Sequence, residues 1–181
     1  MERKLAGRTI RLRPVEREDL EALYLMRNES QDAFLSWQPV SYVGQSEWLD
    51  RIRHDENKMA FSLVEADPAN LLGRLVGFCQ IVDIDFRNGT AEIGGFMVAT
   101  KVRGRGYGHA MVEMLTHFCF VTMGIRKASL TVLASNDVAI QIYEQAGFVC
   151  EGTLEKHVWK DGKWRDVLIM SKFAGYWIGD D

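Results

Sequence analysis

The stretch from Ala91 to Gly108 constrains the fold of this chain most, because it joins a strand pattern to a glycine-rich turn that opens a helix. Residues 91–98 resemble a β-strand, residues 102–108 read Val-Arg-Gly-Arg-Gly-Tyr-Gly, and an amphipathic helix pattern follows. Alternate glycines let the backbone approach a ligand closely, and the unpaired N–H groups at a helix start attract an anion. Arg103 and Arg105 add forked donors that suit phosphate oxygens. The stretch therefore predicts a pyrophosphate site.

A flexible, soluble loop is the alternative interpretation of the same glycines and arginines. The strand before the turn and the helix after it favour the phosphate site, because that is the context such a site requires. The turn contains neither Gly-Lys-Ser nor Gly-Lys-Thr, and no βαβ unit with a ribose-binding acid is evident. A nucleoside-triphosphate loop and a Rossmann site are therefore disfavoured.

The composition is that of one globular domain spanning residues 1–181, with 47% hydrophobic and 26% charged residues and no low-complexity linker. The net charge of -3 provides no electrostatic footprint for nucleic acid or an anionic membrane. No apolar run approaches the roughly 20 residues of a membrane span. Cys79, Cys119 and Cys150 are isolated, so neither a disulfide framework nor a zinc site is supported. We expect a cytoplasmic enzyme without nucleic-acid or membrane partners.

The hydrophobic periodicity predicts seven strands and four helices along the chain. Gly94 and Gly95 stand side by side inside the central strand, which indicates a bulge that would splay this strand from a neighbour. Strands are predicted over residues 9–13, 59–65, 74–83, 91–98 and 127–133 and for two segments within 149–170, and helices over residues 16–27, 45–54, 106–123 and from a cap at 135–137 to residue 146.

One stripe of the helix predicted over residues 106–123 carries His109, Glu113 and His117 at a spacing of four. Such a stripe is compatible with metal ligation. It lies opposite the apolar arc of the helix, however, and this position is typical of a solvated face. We therefore expect no metal site.

Two motifs carry a resemblance to the GNAT superfamily of N-acetyltransferases, and the resemblance extends over nearly the whole chain. Residues 103–108 resemble its Arg/Gln-x-x-Gly-x-Gly/Ala signature, which binds the pyrophosphate of acetyl-CoA. A second conserved segment resembles residues 135–148, with Asn136, Tyr143 and Gly147 at matching positions. The segments Trp37-Gln38-Pro39-Val40 and Trp164-Arg165-Asp166 resemble the group that holds ribosomal-protein alanine acetyltransferases and spermidine acetyltransferases.

This resemblance implies an α/β (α+β) GNAT fold, with a mixed central sheet of six to seven strands, a splayed central strand and about four flanking helices. It also implies acetyl-CoA as cosubstrate and no metal. The residues expected at the cosubstrate are Phe96, Met97, Val98, Arg103, Gly104, Arg105, Gly106, Tyr107, Gly108, Asn136 and Tyr143.

The resemblance assigns two catalytic roles, because acetyl transfer to an amine needs a neutral amine and a proton for the departing thiolate. Glu92 resembles the general base of the family, acting directly or through water. An acid at a strand start that merely faces solvent is the alternative. Tyr143 resembles the acid that protonates the coenzyme thiolate, and a core aromatic at helical spacing is its alternative. A backbone N–H near Met97 or Val98 would polarise the thioester carbonyl.

The acceptor is expected between Asn28 and Asn57, where Trp37 and Trp48 are either walls of the acceptor site or hydrophobic-core residues. Acids in this region are interleaved with cations, which is typical of a charge-paired solvated face rather than of a polycation site. We therefore rank a protein or peptide N-terminus first as the acceptor, a polyamine such as spermidine second and an amino sugar third. A non-catalytic acetyl-CoA-binding module is the alternative of another class, and a homodimer is left open.

Overall fold

A computed structural model describes residues 1–30, 35 and 38–175, which form one eight-stranded sheet and four α-helices. The strands are β1 (Glu2–Leu5), β2 (Arg8–Pro14), β3 (Met59–Asp67), β4 (Asn70–Asp85), β5 (Thr90–Val98), β6 (Lys127–Leu133), β7 (Val149–Lys160) and β8 (Lys163–Phe173). The helices are α1 (Leu20–Glu29), α2 (Tyr42–Ile52), α3 (Tyr107–His117) and α4 (Asp137–Gln145).

The sheet is mixed, as predicted, and its strand order is β1-β2-β3-β4-β5-β6-β8-β7. Only β5 and β6 pair in parallel within the described sheet, and every other neighbouring pair is antiparallel. The sheet has eight strands rather than six to seven, because residues 2–5 pair with β2. Ala6 and Gly7 between them both have positive φ, of 47° and 78°, which is the geometry of a tight hairpin turn.

Helices cover both faces of the sheet, and the central strands contribute to a core on each side. Phe78 packs with α1 and α2, whereas its neighbour Cys79 packs with α3. Successive residues of a strand point to opposite faces, so this alternation divides the side chains between two cores. None of the helices in the described ranges is long and apolar enough to cross a membrane.

Three helices differ in their bounds from the sequence prediction. The helix predicted over residues 16–27 begins as a short 3₁₀ turn at Arg17–Asp19 and continues as α1 (Leu20–Glu29). Helix α2 begins at Tyr42 because the Ser41 hydroxyl accepts a hydrogen bond from the Gly44 N–H at 3.0 Å, which caps the first turn. Helix α3 ends at His117, and the wider helical turn that continues from Phe118 to Thr122 completes the segment predicted as one helix.

The central strand is splayed, as predicted. Strands β5 and β6 pair with each other only from Thr90 to Glu92 of β5, and both continue beyond that point without pairing with each other again. A bulge lies on the other side of β5, where Cys79 of β4 faces two residues of β5, Gly95 and Phe96. Gly95 has a φ of +64°, which a glycine adopts at little cost. The two strands therefore diverge into a V-shaped cleft.

Candidate active site

The cleft between β5 and β6 opens into a cavity of about 320 Å³ that α3 and α4 close from the side. Most of its walls are apolar, and a few polar groups face into it, which is the usual character of a small-molecule site. Residues that line the cavity include Glu92, Phe96 and Val98 of β5, Thr131 and Leu133 of β6, Gly108 and Met111 of α3, Tyr143 of α4 and Asn136 at its N-terminus.

Glu92 is half-buried in the wall of this cavity, at the point where the two strands separate. Burial is the largest influence on its carboxyl group and raises the pKa, and the charge of Asp83 raises it further. A hydrogen bond from the Thr131 hydroxyl to Oε1, at 3.2 Å, acts in the opposite direction. The net pKa is raised, which suits a general base better than an ordinary surface carboxylate does.

Tyr143 both packs in the hydrophobic core and lines the cavity. It is 8% exposed, and its ring centroid lies 5.8 Å from that of Phe96 and 6.3 Å from that of Phe148. Burial raises the pKa of its hydroxyl to about 12. At neutral pH the phenol therefore stays protonated, which a proton donor requires.

The glycine turn presents the N-terminus of α3 to the mouth of the cavity. Gly104 and Gly106 have φ values of +74° and +83°, a backbone region that residues with a Cβ rarely adopt, and Gly106 is the N-cap of α3. A Cβ on Gly108 would lie 3.3 Å from Ile142 Cδ1, so a side chain there would crowd α4. Glycine at these positions thus suits the left-handed backbone of the turn and its close packing against α4.

The side chains of two predicted turn residues point away from an open phosphate site. Arg103 donates from Nε to the Val98 carbonyl at 3.1 Å and from Nη2 to the Ser30 hydroxyl at 2.8 Å, so it ties β5 to α1. Tyr107 is 3% exposed and its hydroxyl donates to Glu65, which also pairs with Arg74. The Tyr107 side chain is therefore part of the core and is not available to a ligand at the turn. The Arg105 side chain is exposed.

The structure also divides the other predicted cosubstrate residues by the direction of their side chains. Phe96 and Val98 line the cavity, whereas Met97 is buried in the core beside α1 and α2. Asn136 lines the cavity as well, and its Oδ1 caps α4 by accepting a hydrogen bond from the Ala139 N–H at 3.2 Å. The two N–H donors of the Asn136 amide take no part in that cap.

A second cavity, of about 400 Å³, lies between α2 and β4 and includes Trp48 in its wall. The Trp48 ring packs edge to face on Phe78, with centroids 5.6 Å apart, so Trp48 serves the core and the cavity together. Trp37 lies outside the described residues. Arg27 and Gln80 line both cavities, and the two spaces therefore meet at these side chains.

Sequence reasoning missed Arg27, Gln80 and Thr131. Gln80 offered a signal, because it is the polar residue in the apolar run Val76-Gly77-Phe78-Cys79-Gln80-Ile81-Val82. A polar residue in such a run is more informative than any of the apolar ones around it. Arg27 and Thr131 gave no comparable signal, because arginine at a helix end and threonine in a strand are ordinary.

Charge is distributed unevenly around the two cavities. Among the described lining residues the carboxylate is that of Glu92, while Arg27 and Arg51 contribute positive charge. Of the acids of α2, Asp50 pairs with Arg17 at 2.7 Å, and a Glu47 carboxylate oxygen lies 3.9 Å from Arg51 Nη1. The described part of the second cavity is therefore not negatively charged. Trp164, Arg165 and Asp166 are not among the described residues that line either cavity.

The histidine stripe of α3 forms ordinary surface pairs. His109 Nδ1 lies 3.2 Å from a Glu113 carboxylate oxygen, which also accepts from Arg3 Nη1 at 2.6 Å. Across the described ranges, no group of three or more His, Cys, Asp or Glu side chains is arranged to hold a metal ion. Glu113 is thus ion-paired with Arg3 of β1.

Comparison with known proteins agrees with this fold. Residues 9–149 match the family described as acetyltransferase (GNAT) domain. The chain is 27% identical over 178 residues to the spermidine N(1)-acetyltransferase of Escherichia coli (strain K12), covering 97% of this chain and 91% of that protein. It is 25% identical over 169 residues to the spermidine N(1)-acetyltransferase of Vibrio cholerae serotype O1, covering 90% and 94%.

A solved structure shares the architecture. The spermidine N-acetyltransferase from Vibrio cholerae, in complex with CoA and spermine, superposes with a TM-score of 0.83 at 24% identity, covering 91% of this chain and 95% of that one. The family match spans most of the chain and includes the splayed strand, the glycine turn and the segment that carries Asn136 and Tyr143. The chain therefore belongs to the GNAT acetyltransferase family, and it is an acetyl-CoA-dependent N-acetyltransferase.

Proposed function

We propose that the protein acetylates a primary aliphatic amine by direct attack in the cleft between β5 and β6, with Glu92 as base and Tyr143 as acid. The observation that carries this proposal is that both side chains line one cavity, Glu92 from β5 and Tyr143 from α4. Their environments also suit opposite tasks, since Glu92 is ionised at a higher pH than usual and Tyr143 stays protonated.

The residues present fit acetyl-CoA, which supplies an activated acetyl thioester. The first N–H groups of α3 and the left-handed Gly106 would hold the pyrophosphate, with Arg105 nearby. Gly108, in the first turn of α3, also lines the cavity. Asn136 would donate to the pantetheine arm from its amide nitrogen.

A backbone group of β5 is available to polarise the thioester carbonyl. The Ala99 N–H donates to the Val76 carbonyl of β4 at 2.9 Å. Because N–H directions alternate along a strand, the Val98 N–H points away from β4 and toward the cleft. The Val98 carbonyl points the same way and is occupied by Arg103, so the N–H is the group left for a ligand. This geometry supports Val98 over Met97.

The proton movements follow from the two side chains. Glu92 accepts a proton from the acceptor ammonium, directly or through one water, so the nitrogen lone pair can form the new C–N bond. As the C–S bond breaks, the Tyr143 hydroxyl donates its proton to the sulfur. The nitrogen is cationic once the C–N bond has formed, and it loses its second proton to solvent to give the neutral amide. Solvent then returns a proton to the Tyr143 phenolate and removes the proton held by Glu92, so one proton is released per turnover. No protein nucleophile is needed, so the buried Cys79 and Cys119 require no catalytic role.

The acceptor we propose first is a polyamine, because the similar proteins named above act on spermidine. This reverses the ranking drawn from sequence, which placed a protein N-terminus first. A peptide α-amine is the second candidate, and the charge of the cavity walls favours it. Each ammonium of a polyamine needs a charge-assisted partner, and the described cavity walls combine one carboxylate, that of Glu92, with Arg27 and Arg51.

A panel assay of free coenzyme A release would test both candidates. Spermidine would be compared with short peptides that carry a small N-terminal residue and with the same peptides blocked at the N-terminus. We expect spermidine to be turned over faster than any free peptide. Peptide turnover above that of spermidine would establish the second candidate. Binding of acetyl-CoA without turnover of any amine would instead indicate a non-catalytic module and contradict the proposed reaction.

A further inference from the structure

Thr131 bridges β5 and β6 just beyond the point where the two strands stop pairing. The last paired residues are Glu92 on β5 and Ser129 on β6. Thr131 lies two residues further along β6 and so points to the same face as Ser129. Its side chain lines the cavity, and Oγ1 donates to Glu92 Oε1 at 3.2 Å across the opening. Thr131 thus touches the carboxylate where the backbone ladder no longer holds the strands together.

We infer that Thr131 is a positioning residue, which holds one oxygen of Glu92 at the wall so that the other is directed at the acceptor amine. The inference rests on the proposed role of Glu92 as base. Ser129 does not share this task, because its hydroxyl donates to the Ala91 carbonyl at 3.4 Å. A base that must accept a proton along a defined direction gains from a fixed rotamer, and a single hydrogen bond supplies that restraint.

The charged and titratable groups around Glu92 determine how loss of this hydrogen bond would change its pKa. Asp83 of β4 raises the pKa of Glu92, and burial does so more strongly. Arg27 of α1 and Tyr143 of α4 line the same cavity, and Tyr143 is neutral at working pH. Thr131 from β6 stabilises the charged carboxylate. Without the Thr131 hydroxyl, the hydrogen bond from β6 no longer counters the rise in pKa caused by burial and Asp83. The pKa of Glu92 therefore rises further.

Thr131→Val removes the hydroxyl while keeping the shape of the side chain, and Thr131→Ser keeps the hydroxyl as a matched control. Carbon NMR of protein labelled at glutamate Cδ would follow the Glu92 carboxyl directly, with Glu92→Gln used to assign its resonance. We expect the midpoint of this titration to move to higher pH in Thr131→Val and to stay near the wild-type position in Thr131→Ser. An unmoved midpoint in Thr131→Val would overturn the inference.

The pH profile of kcat/KM with spermidine, or with the best peptide if peptides are faster, gives a second readout. We expect the acid limb of Thr131→Val to move to higher pH, with a loss of roughly three- to tenfold at neutral pH and recovery in Thr131→Ser. Equal losses in both variants would point to packing and would also overturn the inference. If Thr131→Val does not fold, Thr131→Ala serves in both measurements.

Failure of this inference can be told apart from failure of the proposed function. If Glu92→Gln keeps the acid limb, Glu92 is not the base and the proposed function is wrong. If Glu92→Gln abolishes the limb but Thr131→Val leaves the limb and the NMR midpoint in place, only the role of Thr131 is wrong.

Discussion

Tyr143 packs between Phe96 and Phe148, so a phenylalanine at this position keeps the ring contacts and loses only the hydroxyl. We expect Tyr143→Phe to lower kcat at least tenfold, about 1.4 kcal/mol of barrier, because the leaving sulfur loses its proton donor. Acetyl-CoA affinity, measured by calorimetry, should change little. Full turnover by a folded Tyr143→Phe protein would remove Tyr143 from the mechanism.

Ionisation of Glu92 changes activity and folding stability in opposite directions. Its pKa is raised chiefly by burial, so activity that needs the ionised base is present above that pKa and lost as pH falls through it. The stability that protonated Glu92 contributes is present below the ordinary glutamate pKa and is lost as pH rises through the raised one. We expect Glu92→Gln to flatten the acid limb of the rate profile without lowering Tm at neutral pH. A preserved limb, or a lower Tm at neutral pH, would contradict this.

At the scale of elements, the glycine turn that leads into α3 depends on a backbone conformation that only glycine adopts easily. We expect Gly106→Val to abolish acetyl-CoA binding, because the φ of +83° disfavours a β-branched residue and the first N–H groups would be displaced. Calorimetry with acetyl-CoA is the measurement. Unchanged affinity would reject the turn as the pyrophosphate site.

Gly124 supplies a matched control for that substitution. Its φ is +70° and a Cβ there would meet nothing within 4 Å, so Gly124→Val carries a similar backbone strain. Gly124 lies in the connection that precedes β6, whereas the turn precedes α3. We expect both variants to lose stability and only Gly106→Val to lose acetyl-CoA. Loss of binding in both would show that the effect reflects general destabilisation.

At the scale of the whole molecule, paired buried carboxylates join elements that are distant in the chain. Asp19 accepts two hydrogen bonds from Arg13, at 2.7 and 2.8 Å, and one from the Ser62 hydroxyl at 2.7 Å, which ties the start of α1 to β2 and β3. Burial raises the pKa of Asp19, but the hydrogen bonds from Arg13, Glu16 and Ser62 outweigh it and the net pKa is lowered. The stability that Asp19 contributes is therefore present above the ordinary aspartate pKa and lost as pH falls through the lowered one.

We expect Asp19→Asn to destabilise the fold by about 3 kcal/mol at neutral pH, because Arg13 is left nearly buried without its ion pair. Chemical denaturation at several pH values is the measurement. The difference in unfolding free energy from wild type should shrink as the pH falls below the ordinary aspartate pKa, about 4. A difference that stays constant with pH would mean that the charge of Asp19 is not responsible.

Much of the architecture could be predicted because it is encoded by neighbours in the sequence. The alternation of residues 127–133 predicted β6 with the bounds it has, and the adjacent Gly94 and Gly95 predicted the bulge that splays β5. Asp161 and Gly162 form the tight turn between β7 and β8, where Lys160 pairs with Lys163, and an Asp-Gly pair is a local signal for such a turn. Periodicity and turn chemistry act over a few residues, so they are readable before any tertiary contact is known.

For the candidate site, the sequence indicated several residues that line the cavity, but it did not indicate the directions of their side chains. Glu92, Tyr143 and Asn136 do line one cavity. Tyr107 and Arg103 matched the same signature, yet their side chains are engaged by Glu65 and by Val98 and Ser30. A motif fixes where a backbone turn occurs, whereas the partner that captures a side chain is chosen by packing.

The sequence by itself determined that a strand, a left-handed glycine turn and a helix N-terminus follow one another, because each is set by local sterics and hydrogen bonding. Only the tertiary structure decided that β1 pairs with β2, that Arg27 and Gln80 join two cavities, and that Thr131 reaches Glu92 from 39 residues away. These contacts join distant parts of the chain, and their free energy comes from burial and pairing that exist only once the sheet has assembled.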